Sequence, residues 1–307
     1  MQSGIILKTT GSHYKVKLGN GSIIDTSIRG KLRLKGIKTT NPVTVGDIVD
    51  VEIQNDGSGI IINIHPRKNY IIRKSSNLSR EAHIIAANID QTLLIVTVTQ
   101  PLTQFAFIDR YLVTAEAYSI PTILVFNKTD LINDSLKPIL DEYIHIYESI
   151  GYKCVQVSGI NGLNINILKD LIKNKISLIS GNSGVGKSTL INAVEPSLNL
   201  KVDEISKAHL LGKHTTTFSE MFELSFGGYI IDTPGIKGFG LIDIDKNELY
   251  HFFPEIFKFS KGCKFYNCTH IHEPGCAVID AVNRGEISAS RYINYVNIYN
   301  DDNEKYR

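Results

Sequence analysis

The stretch Gly181-Asn182-Ser183-Gly184-Val185-Gly186-Lys187-Ser188 satisfies the pattern G-x-x-x-x-G-K-[ST] at every fixed position. It follows the apolar run ISLIS, which ends at Ser180, and passes through Thr189 into the helical pattern STLINAVE. Strand, glycine loop and helix form the context that such a loop requires. The glycines let successive backbone N–H groups turn inward onto phosphate oxygens, and the helix N-terminus adds a partial positive charge. Lys187 is expected to reach the β- and γ-phosphates, and the Ser188 hydroxyl to ligate Mg²⁺. An ordinary glycine-rich turn would need neither the lysine nor the helix. The loop therefore commits the middle of the chain to an α/β domain with a mostly parallel sheet.

The neighbouring sequence alternates accordingly. QTLLIVTV, PTILVFN and KCVQVSG read as strands, and FAFIDRYLVTAEAYS, KPILDEYIHIYESIG and GLNINILKDLIKN as helices. The second of these strands runs into Asn127-Lys128-Thr129-Asp130. Guanine offers an acceptor at O6 and donors at N1 and N2. Asp130 accepts from both donors, whereas adenine has no donor at N1 and would leave a buried Asp130 unpaired. Asn127 suits the N7/O6 edge, and the Lys128 stem covers the base. Ser158-Gly159, at the end of the next strand, fits a loop whose backbone N–H meets O6. Four-residue patterns arise by chance, but each of these stands at a strand end.

Two segments follow the phosphate loop. Asp232, in DTPG, closes the strand GGYIID and is expected to hold Mg²⁺ through water, with the Gly235 N–H meeting the γ-phosphate. GKHTTT, from Gly212 to Thr217, supplies a threonine that closes on Mg²⁺ when the γ-phosphate is present. Thr216 is the first choice, and spacing alone does not separate it from Thr217. A polar strand edge is the plainer reading of that segment.

The order of these motifs is unusual. Base-recognition residues 127–130 and 158–159 precede phosphate residues 181–188, 212–217 and 232–235. Within each group the order is the usual one, and the two groups are exchanged. This is a circular permutation, tolerated because domain termini often lie close together. The new break falls after DTPG, so that switch runs directly into the C-terminal segment.

The flanks differ from the centre. Residues 1–68 read as short strands separated by turns such as Asn20-Gly21 and Asp56-Gly57, a pattern that a small closed barrel satisfies. These residues hold ten Lys/Arg against five Asp/Glu, although the whole chain of 307 residues carries only +2. Arg29, Lys31, Arg33 and Lys35 alternate, so an extended segment would gather them on one face, either solvated or against an RNA backbone. Residues 69–240 form the expected nucleotide domain, and residues 241–307 are aromatic and helical. That last segment contains Cys263-x₄-Cys268-x-His270-x₅-Cys276, a set suited to one tetrahedral structural Zn²⁺. His272 competes with His270, and spacing does not decide between them. Cys154 lies in an apolar strand and reads as core. No run of about 18 apolar residues predicts a membrane span, and the N-terminus has no signal-peptide pattern, so a cytoplasmic protein is expected.

Taken together, the barrel, NKTD, GNSGVGKST, GKHTTTFSEMFEL, DTPG and CKFYNCTHIHEPGCAV resemble the RsgA (YjeQ) family of circularly permuted GTPases of bacterial small-ribosomal-subunit biogenesis. The resemblance covers essentially the whole chain. It implies a multidomain protein: an OB-type barrel, a permuted P-loop GTPase domain and a zinc-binding helical domain. It also implies hydrolysis of GTP to GDP stimulated by the 30S subunit, contact with 16S rRNA, a monomer, and His270 rather than His272 as the zinc ligand. The chain starts close to the first barrel strand, so no N-terminal RNA-binding extension is expected. One position departs from many GTPases. Ile236 follows the DTPG glycine where a glutamine often orients water. His214 in the switch is the candidate replacement, although it also reads as a capping or RNA-contacting histidine; Asn182 and a ribosomal group are others. A non-catalytic adaptor using GTP as a structural ligand and a small-molecule kinase are the rival readings, the second disfavoured by NKTD.

Overall fold

Among the described residues, eleven strands join into one hydrogen-bonded sheet that serves three hydrophobic clusters. The computed structural model describes residues 1–28, 42–74, 82–200, 219–232 and 244–301. The barrel comprises β1 (Gln2–Thr10), β2 (His13–Leu18), β3 (Ile23–Ile28), β4 (Ile48–Ile53) and β5 (Gly59–Ile64). Their order is β1-β2-β3-β5-β4, and β4 closes back onto β1. Alternation explains the closure. In β2, Tyr14, Val16 and Leu18 point inward while His13 and Lys15 face water, and the inward set meets Ile6, Val49, Val51 and Ile61. A sheet with one apolar face removes its edges by closing on itself. The Arg29–Gly36 segment lies outside the described residues.

An antiparallel hairpin, β6 (Tyr70–Lys74) and β7 (Ala82–Ala87), comes next. The alternating pattern did not anticipate it. The central sheet then follows: β8 (Gln91–Val96), α1 (Phe105–Ala117), β9 (Thr122–Phe126), α2 (Lys137–Ser149), β10 (Lys153–Gln156), α3 (Ile165–Ile172), β11 (Ile176–Ser180), α4 (Lys187–Val194), β12 (Glu220–Glu223) and β13 (Tyr229–Asp232). The spatial order is β10-β9-β8-β11-β13-β12, parallel except for β12. β8 and β9 are buried along their whole length, as strands covered on both faces must be. Successive residues of β8 serve opposite layers. Leu94 and Val96 meet α1 and α2, whereas Leu93 and Ile95 meet α3 and α4. Each such side chain, fully removed from water, stabilises the fold by about 1.5–3 kcal/mol.

The third unit contains a 3₁₀ turn (Lys246–Phe252), α5 (Pro254–Ser260), α6 (Ala277–Asn283) and α7 (Ala289–Asn300). Its core joins Leu249, Phe253, Ile256, Val278 and Tyr295 to Val113 of α1. α1 is therefore buried on two sides, which accounts for its broad apolar surface.

Among the described residues, two joints connect the three units. At the first, β1 pairs with β12 through Lys8 and Glu220, and one rung runs Lys8, Glu220, Asp232, Ile179, Leu93 across five strands. The Lys8 ammonium meets Glu220 at 2.9 Å, Lys17 bonds Glu223, and a bridge pairs Val45 with Ala86. At the second, Arg291 of α7 is fully buried. It donates to Glu255 at 2.7 Å and to Asp109 of α1 at 2.7 Å, and Asp109 also accepts from Asn294 at 2.6 Å and Tyr147 at 2.8 Å. Among the described residues no helix is long and apolar enough to cross a membrane.

Candidate nucleotide site and metal centre

From β8 the chain steps outward to β9 and β10, then returns to β11 on the other side of β8. Strand order reverses there, and a crevice opens beyond the C-terminal strand ends. Every predicted phosphate or base residue that the structure describes sits at the end of β9, β10, β11 or β13. His214, Thr216, Thr217, Gly235 and Ile236 lie outside the described residues.

The phosphate loop depends on its glycines. Gly181 has φ +145°, and a Cβ there would stand 2.4 Å from the Ile95 carbonyl. Gly186 has φ +91°, and a Cβ there would stand 2.6 Å from Asn127 Nδ2. Any other residue would push the loop off β8 or off the base motif. Val185 anchors the loop in the core beneath α4, while Ser183 and Gly184 are exposed at its tip and Asn182 is half-buried. Lys187 begins α4 and curls back, with Nζ donating to the carbonyls of Gly181 and Asn182 at 2.8 Å each. Burial lowers its pKa, and the Asp232 charge opposes that shift. Ser188 is buried in the first turn of α4 and Thr189 is half-buried beside it. Ser180 ends the strand against Leu94.

The base motif is hydrogen-bonded to this loop. Asn127 Nδ2 donates to Val185 O at 2.9 Å, and Asn127 Oδ1 accepts from Gly159 N–H at 3.2 Å. One side chain thus ties three motifs together. Thr129 Oγ1 donates to Val157 O at 2.9 Å. Ser158 Oγ donates to Asp130 Oδ1 at 2.5 Å and accepts from the N–H groups of Ile160 and Asn161. The expected discrimination against adenine takes Asp130 as buried; here it is exposed. Gly159 lies over α4, 3.2 Å from Leu190 N at its Cβ position. Helix α3 starts at Ile165 rather than at Gly162, because the turn before it is closed by Asn161 and Asn164 side chains. One partner of the motif gave no sequence signal: Lys128 Nζ donates to the carbonyl of Gln100 at 2.8 Å.

The metal cluster also assembles. Ligand atoms of Cys263, Cys268, His270 and Cys276 all lie within 4.8 Å of one another. His270 Nδ1 is 3.5 Å from Cys263 Sγ and 3.6 Å from Cys276 Sγ, and those two sulfurs are 3.8 Å apart. Tetrahedral ligands at about 2.3 Å for sulfur and about 2.0 Å for nitrogen stand roughly 3.5–3.8 Å apart, so this set fits zinc. His272 is exposed, whereas His270 is buried at φ +62°. Tyr292 and Tyr295 hold the strained turn by donating to the carbonyls of His270 and Thr269 at 2.8 and 2.7 Å. Burial raises the thiols of Cys268 and Cys276 and lowers His270, and both thiols would have to lose their protons to bind a cation. Cys154 stands apart in β10, its thiol pushed up to about 12 by burial.

A family model described as RsgA GTPase matches residues 64–242. The chain belongs to that family. A model described as RsgA N-terminal domain matches residues 3–61 of the same chain. The "Small ribosomal subunit biogenesis GTPase RsgA" of Phocaeicola vulgatus is 54% identical over 305 residues, covering 99% of this chain and 98% of the relative. The protein of that name from Flavobacterium psychrophilum is 53% identical, covering 99% and 94%. Among solved structures, YjeQ from Thermotoga maritima superposes with TM-score 0.80 at 37% identity, covering 97% of both chains. YloQ, titled "a circularly permuted GTPase", superposes with TM-score 0.76 at 31% identity, covering 97% of this chain and 94% of its own. The circular permutation read from motif order, and the family that the motifs resemble, both agree with these comparisons.

Proposed function

We propose that this chain is a GTP-hydrolysing factor of 30S ribosomal subunit assembly, binding the subunit in one nucleotide state and leaving in the other. The observation that carries the reading is Asn127, whose amide joins the base motif to Val185 of the phosphate loop and Gly159 of the base-closing loop. Asp130 and a backbone N–H of the loop from Ser158 read guanine, the Lys128 stem lies along it, and residues 181–189, Lys187 among them, hold the phosphates. Ser188, Asp232 and Thr216 are the Mg²⁺ residues, and the Gly235 N–H faces the γ-phosphate. Bound Mg²⁺ neutralises charge on the β- and γ-phosphate oxygens. Cys263, Cys268, His270 and Cys276 hold one structural Zn²⁺. The three units divide at 1–68, 69–240 and 241–307, and the protein works as a cytoplasmic monomer.

Contact with 16S rRNA is supported at the metal unit. Tyr266 is 99% exposed between two of the cysteines, and Phe265 and Phe257, each 40% exposed, carry Lys264 and Lys261 over their rings. Exposed rings carrying ammonium groups suit unpaired bases and their phosphates. Ile236 cannot orient water, so intrinsic turnover is slow, and His214 is the candidate that replaces it. The test is GTP turnover with purified 30S subunits, with 50S subunits and with neither. We expect stimulation by 30S alone, lost in His214→Ala while GTP affinity stays. GTP binding with no turnover under any condition would instead support the adaptor reading that Ile236 keeps open.

A further inference from the structure

β8 ends at Val96, beside the strand that carries the phosphate loop. The residues that follow fold back on themselves. Thr97 N–H donates to Thr103 Oγ1 at 3.1 Å, and Thr103 N–H donates to Thr97 O at 2.8 Å. The Thr97 hydroxyl donates to Pro101 O, and Tyr143 of α2 donates to Thr103 O at 3.0 Å. Thr97 and Thr103 are both completely buried. The result is a closed lasso whose neck is fixed in the core.

Its tip reaches both halves of the nucleotide site. Gln100 O accepts from Lys128 Nζ at 2.8 Å. Pro101 ring carbons lie 3.4 and 3.5 Å from where a Cβ on Gly184 would stand. Lys128 itself sits at φ +63°, a conformation that few non-glycine residues hold without support. Its side chain has four rotatable bonds, and free in water it would sample many rotamers. The Gln100 carbonyl ends that freedom and stretches the stem between the base motif and the lasso. Lys128 Cε also passes 3.8 Å from the Cβ position of Gly186.

We infer that the Thr97–Thr103 lasso is a positioning element of the guanine-nucleotide site. It fixes Lys128 and the tip of the phosphate loop at one separation, so that base and phosphates are engaged together. The inference rests on the nucleotide reading proposed above. Thr97 and Thr103 are positioning residues that act through Gln100 and Pro101. Geometry held in advance by buried hydrogen bonds is not lost to reorganisation when a ligand binds.

The experiment compares full-length wild type, Thr103→Val, Thr97→Val and Thr103→Ser. Release of a fluorescent GDP is followed by stopped flow, competition with GDP and ADP gives base discrimination, and thermal midpoints are taken without nucleotide. Each valine variant removes one buried hydrogen bond at nearly constant volume. GDP release should quicken about five- to thirtyfold in both, with weaker discrimination against ADP. Thr103→Ser, which keeps the hydroxyl, should stay within about twofold of wild type by the same reasoning. A lower midpoint with unchanged release and discrimination would show a role in folding only and overturn the inference. If Thr103→Val does not fold, Thr97→Val decides by the same two readouts. A wild-type protein that retains no GDP would instead remove the nucleotide reading, and the lasso's role with it.

Discussion

The two joints of this molecule are built from opposite materials. The barrel is attached by backbone: β1 pairs with β12, and the side-chain ion pair beside it is about one-third exposed on both partners. The C-terminal unit is attached by side chains: Arg291, Asp109 and Glu255 form a charge cluster shut off from water. Ladder hydrogen bonds tolerate almost any outward-facing residue. A buried ion cluster tolerates almost none, because removing one member leaves the others charged and unsolvated. The first joint should therefore be forgiving in sequence and the second exacting.

The largest effect expected on this contrast comes from the metal. Structural zinc binding is worth about 10–16 kcal/mol in isolated finger peptides. Cys268→Ala should lose the one Zn²⁺ per chain proposed above and open the C-terminal unit to protease, leaving the barrel protected. Metal analysis with limited proteolysis checks this, and full zinc content in the variant would remove Cys268 from the ligand set. Next comes Arg291→Met, expected to destabilise by about 3–5 kcal/mol in urea unfolding through the stranded carboxylates. Adding Asp109→Asn and Glu255→Gln should recover part of that loss. Were Arg291→Met alone neutral, the joints would not differ in kind. The smallest effect is at the barrel. Lys8→Ala should cost only about 0.2–1 kcal/mol, and a difference that persists in high salt would show that the pair is more than an exposed ion bridge.

What the sequence showed and withheld follows the same line. Local patterns located the strands around Leu94, Leu124 and Leu178, the turn at Asn20-Gly21 and the loop from Gly181, because each is set by neighbours a few residues away. Asn127, Asp130, Ser158 and the loop from Gly181 were legible as a group because each stands just beyond a strand end on the same side of the sheet. The lasso was not, since it works through the Gln100 carbonyl, which every residue possesses. The charge cluster was not either. Asp109 and Arg291 are 182 positions apart, and on their own helices each reads as an ordinary surface residue. The β6–β7 hairpin left no clear local signal, because its apolar residues, Ile71 and Ala86, complete a core supplied mostly by later elements.

The rung from Lys8 through Glu220 and Asp232 to Ile179 has a metrical consequence. Side chains on a strand alternate faces, so a slip of one residue between β1 and β12 would set the two strands' faces against each other. Only whole two-residue steps, roughly 6.6 Å each, preserve the pattern. The barrel is thus geared to β12, the strand paired with β13 where it ends at Asp232: it can tilt about that tooth or let go of it, but it has no smooth track along which to slide.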